Sequence, residues 1–215
     1  MQKKIKMAFI PSELPLLLVV DLHQIEVEPP SSWGPRSTPN LTSNVSTILN
    51  AFRKYSFEVF HVHHHSSDPN DELYPSEANV AFNAPHPCAT PLPNEPIFIK
   101  NTGSAFMSGS LKNWILGMNN KGREIVVIGM EGAKCINSTV RTGKDLGLNM
   151  VVVVDACASF GVENLKTERS DAEEVHKVAM GILDGYARLA ETDELVQELE
   201  RWDARRNSGE VSNGA

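Results

Sequence analysis

Five short apolar runs punctuate the chain, and each ends on a residue of a different kind. Residues 16–20 run into Asp21, residues 57–62 into a group of histidines, and residues 96–99 into Lys100. Residues 125–128 run into Gly129 and residues 151–154 into Asp155. The runs are rich in β-branched and aromatic side chains and are continuous rather than alternating. Strands covered on both faces of a parallel sheet have this pattern.

Helical spacing fills the intervals. Leu41, Val45, Ile48, Leu49 and Phe52 form one apolar stripe over 40–55, with Asn40 placed as its N-cap. Leu111, Trp114, Ile115 and Met118 form a second, and a third helix over 133–147 stops at Gly147. The longest is predicted over 170–190, burying Val175, Val178, Ala179, Ile182, Leu183 and Tyr186. A short strand at 187–190 and a last helix over 193–205 complete the series. Strand–helix alternation of this kind predicts an α/β fold: a doubly wound, mostly parallel six-stranded sheet with helices on both faces, Rossmann-like in plan. Residues 1–205 read as a single domain and 206–215 as a flexible tail. The proline-rich stretches 26–39 and 66–95 match no element; both follow strand ends, where ligands bind in such sheets.

Composition narrows the function classes. The 215 residues are 41% hydrophobic and 22% charged, which is globular rather than disordered. Twenty Lys and Arg against 27 Asp and Glu give a net charge of −7, unfavourable for nucleic acid or an anionic membrane as partner. The three cysteines, Cys88, Cys135 and Cys157, make no disulfide framework and point to a reducing compartment. The basic start of the chain is interrupted by Ser12, Glu13 and Pro15, a poor secretory signal, and no apolar run reaches membrane-spanning length. A cytoplasmic location is expected.

Asp21, Lys100 and Cys135 carry the candidate chemistry. Two of them end strands, and Cys135 lies six residues past Gly129, near the start of a helix. In a parallel sheet those ends converge. A thiol at a helix N-terminus beside an ammonium group is expected to have a depressed pKa. A nearby carboxylate can take its proton and return it to a leaving amine, and turn amides over 130–135 can hold an oxyanion. Singly, each residue has a plainer role: an Asp after a strand is a common turn cap, and a buried Cys is a common small hydrophobe.

Other chemistries fare worse. His61, His63 and His65 share one face of a strand, with His64 between them, but no carboxylate ligand stands among them, so no metal is expected. The glycine-rich dinucleotide and phosphate-loop patterns are absent, as is Gly-x-Ser-x-Gly. Cys157 reads as packing and Cys88 as a bystander. Trp33, Phe106 and Phe160 are placed as an apolar wall for a small-molecule substrate.

Taken together, the motifs resemble those of the isochorismatase-like cysteine hydrolase superfamily, in its metal-free amidohydrolase branch. They are Leu17-Leu-Val-Val-Asp21, Trp33-Gly-Pro-Arg36, Phe60-His-Val-His-His-His-Ser66, Lys100-Asn-Thr-Gly-Ser-Ala-Phe106, Gly129-Met-Glu-Gly-Ala-Lys-Cys135 and Val154-Asp-Ala-Cys-Ala-Ser159. The resemblance implies Cys135 as nucleophile, Asp21 as general base and Lys100 as the residue that orients and polarises the pair. It also implies a non-proline cis bond at Met130–Glu131, with the N–H groups of Glu131 and Cys135 forming the oxyanion hole. His23, Trp33, His64, Ser66, Phe106 and Phe160 would then line the substrate pocket. Hydrolysis of a small amide or ureido C–N bond without a cofactor, in a homodimer or homotetramer, is the implied activity. The superfamily also includes enol-ether hydrolysis of isochorismate, and an inactive scaffold is the remaining alternative. The chain departs from the usual pattern at His23, Glu131, Gly132 and Ala133.

Overall fold

A computed structural model describes residues 14–117, 123–163 and 168–208. Met118, residues 1–13 and the end of the tail from 209 lie outside the described residues. Six strands, β1 (Leu16–Val20), β2 (Glu58–His64), β3 (Ile97–Lys100), β4 (Glu124–Gly129), β5 (Asn149–Cys157) and β6 (Arg188–Ala190), form one sheet in the order β3-β2-β1-β4-β5-β6. Every pairing is parallel. In this order the chain winds one way from β1 to β3, then restarts beside β1 with β4. The reversal opens a crevice at the carboxyl ends of β1 and β4.

Alternate residues of each strand feed two cores, which explains the continuous apolar runs. Leu17 and Val19 face one side, while Leu16, Leu18 and Val20 face the other. In chain order the helices are α1 (Gln24–Val27), α2 (Leu41–Lys54), α3 (Val80–Asn83), α4 (Gly109–Gly117), α5 (Asn137–Asp145), α6 (Ala172–Leu183) and α7 (Thr192–Ser208). The first core takes Val45, Leu49 and Phe52 from α2 and Leu195, Leu199 and Trp202 from α7. The second takes Leu111 and Ile115 from α4, Val140 from α5, and Met180 and Leu183 from α6.

Several expectations are corrected in detail. Helix α6 stops at Leu183, and the longest helix is α7, which continues through Ser208. The buried stripe of α6 is His176, Ala179, Met180 and Leu183, while Val178 and Ile182 face outward. Asp171, whose carboxylate accepts the N–H groups of Glu173 and Glu174, caps that helix. Asn40 makes no such side-chain cap on α2. Asp155 does not end β5, which runs on to Cys157; its carboxylate accepts from Asn44 and Thr192 instead. The two proline-rich stretches contain short helical turns, α1 and α3 among them.

Gly129 ends β4 at φ +129°, and a Cβ there would lie 1.9 Å from the carbonyl oxygen of Val20. Only glycine lets β4 close on β1 at the mouth of the crevice. Gly129→Ala is expected to cost about 3 kcal/mol or more, read as a lower urea midpoint.

Candidate active site

The crevice gathers Asp21, Lys100 and Cys135 by three routes. Asp21 follows β1 in a left-handed conformation (φ +52°), its N–H donating to the Val62 carbonyl at 2.8 Å. Asp tolerates that backbone better than most residues, and the turn buries the carboxylate at the strand end. Lys100 is the last residue of β3 and pairs in register with His64 of β2. Its stem is covered by the sheet, and its Nζ reaches across β2 toward β1. Cys135 sits in a π-helical turn, Gly132–Ile136, that joins β4 to α5.

That turn is tightly tied. The Met130–Glu131 bond is cis. Met130 N–H donates to the Val20 carbonyl at 2.9 Å, and Gly132 N–H donates to the Ala158 carbonyl at 2.6 Å. The Glu131 carboxylate accepts the Ala133 N–H at 3.0 Å, and the Glu131 carbonyl accepts from Lys134 and Ile136, both at 3.1 Å. A Cβ on Gly132 would fall 2.4 Å from the Ser159 hydroxyl. The small residue that departs from the usual pattern is therefore the one that fits.

Lys100 Nζ lies 2.6 Å from the Asp21 carboxylate, 3.3 Å from Cys135 Sγ, 3.2 Å from His64 Nδ1 and 3.1 Å from the Thr102 carbonyl. Burial raises Asp21 to about 6, against the opposing pull of the Lys100 charge. Burial, reinforced by the Asp21 charge, pushes the Cys135 thiol up to about 12. Burial alone would lower Lys100, but Asp21 and Cys135 outweigh it and hold the ammonium charged. The depressed thiol pKa expected from sequence is thus not what the structure gives. The carboxylate already neutralises the ammonium, so the resting thiol keeps its proton.

A cleft of about 620 Å³ opens onto Cys135. Trp33 and Phe160 stack edge-to-face on one wall, ring centroids 5.7 Å apart, and His64 lies at the floor. Three residues predicted for the pocket sit elsewhere. Phe106 is fully buried in the second core, pressed against Gly143, where a Cβ would fall 2.9 Å from its ring. Ser66 closes a turn by accepting the Asp68 N–H at 3.1 Å. His23 is completely buried and ties the end of α3 to the end of β2: one ring nitrogen pairs with the Asn83 carbonyl, and the other accepts the His64 N–H. Glu26, Lys134, Glu163 and Arg169, which line the cleft, were not predicted for it. They come from an irregular segment, a turn and a loop, which periodicity does not read.

The histidines disperse. His61 Nε2 pairs with Glu95 at 2.9 Å, and Arg53 holds the same carboxylate. His63 packs between the rings of His23 and His61, at 5.3 and 6.4 Å. Among the described residues, no group of three or more His, Cys, Asp or Glu is placed to hold a metal.

Burial lowers His63 from 6.5 to about 3, and His23 and His64 to about 4. Each is neutral in the folded protein, whereas the unfolded chain binds protons below its ordinary pKa. Their contribution to stability is therefore complete above about pH 6.5 and lost as pH falls toward the folded values. Asp21 and Glu26, raised by burial, work in the opposite direction. The clean reading is a difference: in urea titrations, the stability advantage of wild type over His63→Gln should shrink as pH falls from about 6.5.

With this fold and cleft defined, the relatives are informative. The structure superposes on an isochorismatase-family protein from Chromobacterium violaceum with a TM-score of 0.79 and 30% identity, covering 87% of this chain and 94% of that one. A cysteine hydrolase from Pseudomonas syringae has the same fold at a TM-score of 0.74 and 19% identity, covering 89% and 94% of the two chains. In sequence, the Bacillus subtilis isochorismatase family protein YrdC is 25% identical over 184 residues, 85% of this chain and 95% of its own length. The isochorismatase domain model matches residues 15–178. The chain belongs to the isochorismatase family of hydrolases and has that family's α/β fold. No helix among the described residues is long and apolar enough to cross a membrane.

Proposed function

We propose that the protein hydrolyses the C–N bond of a small amide or ureido compound through a Cys135 thioester. One observation carries the reading: a thiol that lines an open cleft and a buried carboxylate meet on a single buried ammonium, at 3.3 and 2.6 Å. A carboxylate raised to about 6 by burial is ionised at neutral pH yet basic enough to accept a thiol proton.

In the first step Asp21 takes the Cys135 proton as the sulfur bonds to the substrate carbonyl carbon, and the carbonyl oxygen becomes an oxyanion. Lys100 keeps a positive charge beside the pair throughout. Four amides of the 131–136 turn are already engaged, which leaves those of Glu131 and Cys135 as the oxyanion donors. Collapse breaks the C–N bond, and Asp21 returns its proton to the leaving nitrogen. Water then attacks the thioester, giving a proton to Asp21; the thiolate leaves and recovers that proton. Bond making and proton movement balance over the cycle with no other reactant than water.

The test is a panel of small amides and ureides assayed for ammonia or amine release, with rapid acid quench and mass mapping of the Cys135 peptide. An acyl adduct that appears and decays within a turnover is expected. Sustained turnover with the Cys135 peptide unmodified would remove the thioester from the mechanism.

A further inference from the structure

Glu26 has no role in that cycle, yet it lies in the same cleft. It is the last but one residue of α1, about nine-tenths buried, and its Oε2 has no hydrogen-bond partner. Glu131 Oε2 is also buried without a hydrogen bond, its nearest cation being Lys134 Nζ at 3.7 Å. Both carboxyl groups line the cleft. A buried carboxyl oxygen left unpaired is costly, and folded proteins tolerate one chiefly where a ligand supplies the missing partner.

An ionised carboxylate only accepts, so the partner that satisfies both orphaned atoms as carboxylates is a hydrogen-bond donor. Its charge follows from the rest of the lining. Among the described residues, Asp71, Glu72, Glu131 and Glu163 line the cleft against two cations, Lys134 and Arg169. The Arg169 guanidinium is already committed to the Trp33 carbonyl. An anionic substrate would meet the same charge sign, and an apolar one would leave Glu26 buried and unsatisfied.

We propose that Glu26, together with Glu131, recognises a cationic nitrogen group, an ammonium, amidinium or guanidinium, carried by the amide substrate. The inference rests on the hydrolytic reading above for the identity of the ligand as a substrate, but the binding preference stands by itself. Burial, with the neighbouring charges of Asp21 and Glu131, raises Glu26 well above the usual carboxylate range, and Lys100 and Lys134 oppose them. A bound cation gives that carboxyl a reason to ionise close to Cys135, whose thiol lies within its field.

The experiment is a calorimetric titration of the Cys135→Ala protein with three probes of similar length: 4-guanidinobutanamide (cationic), hexanamide (neutral) and adipic acid monoamide (anionic). Removing the thiol separates binding from turnover. The cationic probe is expected to bind at least about tenfold more tightly than either of the others. Glu26→Gln in the same background, shown folded by its thermal midpoint, is expected to erase most of that preference. Equal or tighter binding of the neutral or anionic probe would overturn the proposal, as would no binding of the cationic probe at millimolar concentration. A preference that survives Glu26→Gln would do the same. If that variant fails to fold, the order of the three probes on the parent decides. Thioester formation without charge preference would leave the hydrolytic mechanism standing and remove only this inference; the reverse result would do the opposite.

Discussion

Cys135→Ala should lower hydrolysis of any substrate found in the amide panel by at least about a thousandfold while leaving the fold intact. The sulfur is the only atom at the cleft floor that can form the acyl bond in this account, so what survives is the modest rate from binding and the turn amides. The substitution removes a partly buried, uncharged group next to the Asp21–Lys100 pair and leaves that pair whole. Its thermal midpoint should therefore stay close to that of wild type. Ammonia release and a melting curve on the same preparation check both halves, and a variant retaining more than a tenth of wild-type turnover would contradict the nucleophile assignment.

Lys100→Met has the second large effect, and it strikes stability and chemistry together. The ammonium is fully buried and its partner carboxylate nearly so. Methionine keeps most of the packed stem but strands Asp21 without a counter-charge. Breaking such a pair costs about 3–5 kcal/mol, which for a chain of this size lowers the melting point by on the order of ten degrees. Asp21, already raised to about 6 with Lys100 in place, is pushed higher still without it. A carboxyl that is protonated at neutral pH cannot take the thiol proton. The residual activity should accordingly appear only at higher pH, with the acidic limb of the rate profile displaced upward relative to wild type. A profile that keeps its acidic limb would show that Lys100 does not set the charge state of Asp21.

The sheet and the meeting of Asp21, Lys100 and Cys135 were legible in the sequence for the same reason. Strands buried on both faces appear as unbroken apolar runs, and in β1 and β3 the polar residue that closes the run lies at the strand's carboxyl end. Asp21 and Lys100 are such interruptions, and parallel topology brings them to one edge of the sheet. Cys135 was found from its distance past β4. Trp33, His64 and Phe160 were placed in the cleft as well, but the other lining residues were not legible because they follow no period. Glu26 lies on a four-residue helix between a strand and a proline-rich loop, and Arg169 arrives from a loop across the cleft. Phe106 misled for the opposite reason. It lies close to Lys100 in sequence, but the 3-10 turn Ala105–Met107 directs its ring down into the core, onto the bare surface of Gly143. The exposed positions Val178 and Ile182 of α6 show the same limit, since two stripes fit its apolar residues and only packing chooses between them.

Burial outweighs the positive field on the thiol, and the neighbouring Asp21 carboxylate adds to it, so Cys135 is raised rather than depressed. Reactivity then follows the ionisation of the carboxylate that receives the proton, rather than free thiolate.

The most direct measurement is the rate of Cys135 alkylation by iodoacetamide from about pH 5 to about pH 9, read by peptide mass mapping in wild type and Asp21→Asn. Cys88 and Cys157, raised to about 11 and about 12 by burial, should remain almost unlabelled and serve as internal references. The account predicts that the Cys135 rate rises through about pH 6 with Asp21 ionisation and then levels off, and that Asp21→Asn abolishes this step. A rate that climbs steadily through the ordinary thiol range near about 8.5, unchanged by Asp21→Asn, would contradict it.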